Sequence, residues 1–142
     1  MDRESQAATF MRWLMRRYTS GYIEIRMLNP GHGPQLSYHQ IPRSDTQWSE
    51  LAQMCVTRSD QGWDVYMGVL PRWEQSGRDS SVDTAAMLWA DIDAIGTTTV
   101  DELRGSAEVI VSSGKGYHLY RRLAVSQIGT KKTRSEERRV GK

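Results

Sequence analysis

Six apolar residues, Ala85–Ala90 (AAMLWA), run without a break into Asp91-Ile92-Asp93. A run of this length reads as a strand set against a core, here turning acidic at its end. A strand needs partners, and two more strand-like runs follow, Glu108–Ser112 and Gly116–Leu123, joined by a tight Gly114-Lys115-Gly116 turn. Upstream the pattern is mixed. Residues 5–18 read as an amphipathic helix with Phe10, Trp13, Leu14 and Tyr18 on its apolar stripe. Tyr22–Leu28 alternates apolar and polar residues and pairs, as a hairpin, with Leu36–Ile41 across the Asn29–Pro34 loop. Residues 46–59 read as a helix burying Trp48, Leu51, Ala52 and Cys55, and Trp63–Leu70 as a strand closed by Pro71. Residues 72–83 form a polar loop, and 99–105 admit a short helix. Helices mixed with consecutive late strands specify an α+β fold around a largely antiparallel sheet.

With 142 residues, 38% hydrophobic and 25% charged, the chain is long enough for one domain with a real core and is not a disordered tail. No apolar run approaches the roughly 18–20 residues that span a bilayer, so no membrane partner is expected. The single cysteine, Cys55, excludes an internal disulfide framework and any cysteine-based zinc cluster, and fits a reducing, cytoplasmic setting.

The net charge of +2 is unevenly spread. Residues 131–142 (KKTRSEERRVGK) hold six basic and two acidic residues, whereas residues 1–130 hold thirteen basic and fifteen acidic. Arginine outnumbers lysine twelve to one in the body, and the two are equal in the tail. Such a run fits a solvated tail or a nucleic-acid arm. The preferred reading is a third: Arg134–Lys142 resembles the translation of a sequencing-adapter oligonucleotide. Residues 1–124 are then the native part, 125–142 hold the junction and a non-native tail, and the native sequence ends between 124 and 134.

Two motifs carry chemistry. In an extended strand, residues two apart share a face, so Asp91 and Asp93 would aim both carboxylates one way with Ile92 anchored in the core. Paired like charges resist burial unless a cation sits between them, and Mg²⁺ or Mn²⁺ favours such hard oxygen ligands. The same pattern also fits a strand that simply ends in surface acids. The second motif is Ser113-Gly114-Lys115-Gly116-Tyr117-His118. Its glycines let backbone N–H groups approach an anion, Ser113 offers a hydroxyl and Lys115 a point charge, and His118 shares a face with Gly116 and Tyr120. It is not a P-loop, because a strand rather than a helix follows. An ordinary hairpin with a satisfied histidine also accounts for it. Taken together, on strands able to pair, the motifs form a minimal kit for nucleotidyl transfer: carboxylates for a divalent metal, and a glycine turn, lysine and histidine for a triphosphate.

At this level the chain resembles the primase-polymerase domain of the archaeo-eukaryotic primase superfamily, in its bifunctional plasmid and phage form. Four stretches over roughly residues 8–124 carry the likeness: Tyr22–Leu28, Val65–Arg72, Leu88–Asp93 and Ser113–Tyr120. The resemblance implies an RRM-like, mostly antiparallel sheet with flanking helices. It implies that Asp91 and Asp93 ligate the catalytic metal. It also implies that Ser113, Gly114, Lys115, Gly116 and above all His118 contact the incoming nucleotide. The activity implied is primer synthesis or extension from nucleoside triphosphates on single-stranded DNA, beside a helicase domain or protein outside this chain. Two departures stand out. The family's serine two places before the histidine is Gly116 here. A third acidic metal ligand, expected well downstream of the histidine, has no counterpart outside the tail, where Glu136 and Glu137 are rejected. The expectation is an incomplete catalytic core with weak or absent activity.

Arg72 and Arg78 flank the loop before the acidic strand, and Arg72 is a candidate for phosphate or template. Arg121 and Arg122 could line a nucleic-acid channel. The tryptophans read as core or core rim, except Trp73, whose polar loop makes it a possible base-stacking platform. Two readings compete with nucleotidyl transfer. One is a metal-dependent nuclease or phosphoesterase using the same acids, and the other is a non-catalytic RRM-like nucleic-acid binder.

Overall fold

The computed structural model describes residues 2–82, 86–93, 103, 105, 107–112 and 116–123, with Asp93 described by its backbone. The order is α1 (Arg3–Met15), β1 (Tyr22–Leu28), β2 (Gln35–Gln40), α2 (Asp45–Asp60), β3 (Asp64–Met67), β4 (Met87–Asp93), β5 (Val109–Ser112) and β6 (Gly116–Arg122). The fold is α+β as the sequence indicates, but the strands divide into two antiparallel three-stranded sheets, β2-β1-β3 and β4-β6-β5. The chain correspondingly forms two compact units, Met1–Asp83 and Thr84–Lys142. Among the described residues no helix is long and apolar enough to cross a membrane.

In the first unit, the alternation of β1 becomes one buried face, Ile23, Ile25 and Met27, at 5% exposure or less. Both helices contribute to this core. α2 buries Trp48, Leu51, Ala52 and Cys55, the predicted face. α1 buries Met11, Leu14 and Met15 instead, leaving Phe10, Trp13 and Tyr18 half-buried. The stripe is rotated toward the side that carries Met11 and Met15, whose unbranched side chains pack into the core. The helices start on side-chain caps. Asp2 accepts from the Ser5 N–H, and Ser44 accepts from the Gln47 N–H. The Gln47 side chain reaches back to the Arg43 N–H, a variant of the capping box. Arg3–Asp60 and Arg12–Asp45 link opposite ends of the two helices, which therefore run antiparallel.

β3 ends at Met67, earlier than the apolar run to Leu70 suggests, and Gly68 continues the pairing only through its N–H to the Glu24 carbonyl. The loop that follows is tied down. Arg72 exchanges backbone bonds with Tyr22 and bridges to Val82, and a 3₁₀ turn forms at Asp79–Ser81 within the predicted polar loop. Gly21 has φ +114°, and a Cβ there would lie 2.9 Å from the Arg72 carbonyl oxygen, so the start of β1 requires glycine. The predicted helix at 99–105 lies largely outside the described residues.

Candidate functional site

The second unit is built on β6, which takes β4 on one side and β5 on the other. The register sets Asp91 opposite His118, and His118 opposite Val111. One step along, Trp89, Tyr120 and Val109 form the next row across the same face, and Asp93 pairs with Gly116 on the other side of the Asp91 row. Residues two apart on one strand, and directly opposed residues on neighbours, share a face. That rule brings the acidic strand and the histidine strand together.

His118 Nε2 lies 3.4 Å from Asp91 Oδ1. The histidine side chain is 39% exposed and the Asp91 carboxylate 75%. An ion pair this open gains little from Coulomb attraction, at most about 1 kcal/mol. The contact therefore adds little to the stability of the sheet. Beside them Tyr120 is buried, and burial, followed by the nearby Asp91 charge, holds its phenol above the ordinary tyrosine range. Tyr120 is thus a neutral hydroxyl in the floor of the site.

The remaining predicted residues fall in three places. Gly116 is buried at the start of β6. Ser113, Gly114 and Lys115 lie outside the described residues. Arg72 belongs to the first unit. There its guanidinium is committed to Glu24, with Nε 3.3 Å from Oε2, and to the Arg78 carbonyl at 2.8 Å. Arg121 is exposed, whereas Arg122 is held by Glu108 through contacts of 2.7 and 2.9 Å. Trp73 is 45% exposed, with its indole N–H donated to the Ser80 carbonyl.

Trp89 differs from expectation. The apolar run around it signals a core position, yet the indole is 48% exposed. Periodicity identifies the strand but does not say how many layers cover it.

The Asp91 carboxylate is three-quarters open to solvent and offers oxygen ligands of the kind Mg²⁺ and Mn²⁺ prefer. Among the described residues no three His, Cys, Asp or Glu side chains converge as a metal cluster, and the side chain of Asp93 is outside that set. The chain matches no protein-family model, no curated protein and no solved structure at a significant level.

Proposed function

We propose that this chain carries a nucleotide site of the primase-polymerase type, acting in metal-dependent nucleotidyl transfer from nucleoside triphosphates to a primer on single-stranded DNA. On this reading the β4-β6-β5 sheet is the RRM-like element, and the setting is plasmid or phage replication. The observation that carries it is the opposed Asp91–His118 pair, an acid and an imidazole sharing one exposed sheet face. Asp91 and Asp93 would hold Mg²⁺ or Mn²⁺. When bound, the metal would neutralise phosphate charge and activate the attacking 3′-hydroxyl. His118 orients a phosphate oxygen by hydrogen bonding, and Asp91 in turn sets the direction of its ring. Lys115 would add a positive point charge for the phosphates. Positioning and charge stabilisation are the chain's contribution to the reaction.

Titration of a labelled nucleoside triphosphate with and without Mn²⁺ tests the proposal. Metal-dependent binding that is lost in Asp91→Ala and His118→Ala supports it. Metal binding without selectivity for triphosphates points to a phosphoesterase. Metal-independent capture of single-stranded DNA, unchanged in both variants, points to a non-catalytic binder.

A further inference from the structure

We infer that Trp89 is the base platform of this site, stacking on the nucleobase of the triphosphate whose phosphates meet His118. The inference rests on the nucleotide reading above and adds what recognises the base.

Three observations carry it. Trp89 and Asp91 stand two residues apart on β4, on one face and about 7 Å apart along the strand, a separation that a single sugar can span between base and phosphate. The indole is 48% exposed, although a tryptophan is among the side chains that gain most from being covered. Its cross-strand partner Tyr120, on the same face, is 8% exposed, so the register sets a buried aromatic residue beside Trp89. Exposure alone does not select Trp89, since Leu88 on the opposite face of β4 is 57% exposed. What selects it is the shared face with Asp91 and His118. The other exposed aromatics, Tyr66 and Trp73, belong to the first unit.

An indole face offers stacking area and no hydrogen-bond code, so it grades bases by ring size. The site therefore favours purine over pyrimidine triphosphates, and Trp89 itself does not distinguish ribose from deoxyribose.

The test compares Mg²⁺–ATP with Mg²⁺–tripolyphosphate, a probe with phosphates and no base, on the full 142-residue chain. Trp89→Leu keeps apolar bulk on the strand and removes the π face. It is expected to weaken ATP about tenfold while leaving tripolyphosphate within twofold. Trp89→Phe is expected to keep ATP binding within about threefold. It should also abolish the indole quenching that ATP, but not tripolyphosphate, produces in the parent chain; this second readout stands even if Trp89→Leu fails to fold. Equal weakening of both probes by Trp89→Leu, or of neither, overturns the role of Trp89 while the nucleotide site stands. Failure of the parent chain to bind either probe overturns both.

Discussion

Glu24 on β1 and Arg72 in the loop after β3 form a buried ion pair, with side chains 8% and 13% exposed and Nε 3.3 Å from Oε2. The Tyr38 hydroxyl donates to the same oxygen at 3.2 Å. Arg72 Nε is fully covered and lies off the hydrogen-bond axis, so attraction between the charges, rather than a well-formed bond, holds it. Removing one partner leaves the other charge largely covered and short of its nearest counter-charge, with Arg26 at 3.9 Å remaining for Glu24 and the Arg78 carbonyl for Arg72. Glu24→Ala and Arg72→Ala are each expected to cost about 2–4 kcal/mol in urea unfolding. The double variant should cost clearly less than the sum of the two. Additive losses would show that the two side chains are not coupled.

Asp91 and His118 occupy the opposite regime, a couple with side chains 75% and 39% exposed. Asp91→Asn and His118→Ala are expected to change unfolding free energy by less than about 0.5 kcal/mol. The same variants should weaken metal-dependent triphosphate binding at least about tenfold. The pair of measurements separates a binding role from a structural one. Loss of stability with binding retained would place the couple in the architecture instead.

What could be read in the sequence was whatever local period decides. β1 keeps its predicted bounds because every second residue meets the core, and α2 buries the predicted four side chains. The facing of Asp91 and His118 follows from strand alternation once β4 and β6 are neighbours, but that adjacency is tertiary, because the chain segment leading into β6 comes from β5. What could not be read depends on tertiary cover. Glu24 in YIEIRML looks like an outward polar residue, and it is buried because a loop some fifty positions later brings Arg72 over it. Arg72 reads as a loop arginine available to phosphate or template, and the same tertiary contact holds it on Glu24 instead. Trp89 looks like core or core rim, because an apolar run does not reveal how far each of its side chains is covered: Met87 is 2% exposed, Leu88 57% and Trp89 48%. The division into two sheets has no local signal, since each strand carries the same pattern in either arrangement.

Cys55 sits on the buried face of α2, where burial pushes its thiol up to about 11. At pH 8 only about one thiol in a thousand is then thiolate, the form that reacts. Labelling with a chromogenic disulfide is expected to be at least about a hundredfold slower in the folded chain than in urea. The labelling rate should rise through the unfolding transition. Rapid stoichiometric labelling of the folded chain at pH 8 would mean that α2 does not bury this face.

His39 on β2 supplies a pH dependence. It pairs with Ile23, on the core-facing side of the sheet, and its Nε2 is 2.8 Å from the Ser37 hydroxyl. It also lines a groove of about 510 Å³ with Arg43 and Glu50. Burial holds the imidazole below its ordinary value of 6.5. At neutral pH the ring is uncharged in both folded and unfolded chains, and the stability is complete. As the pH falls below about 6.5 the unfolded chain takes up the proton first, so stability declines until the folded ring also protonates. The melting temperature is expected to fall between pH 7 and pH 5, and to fall less in His39→Gln. Parallel melting curves for the two proteins across that range would show that another group titrates there.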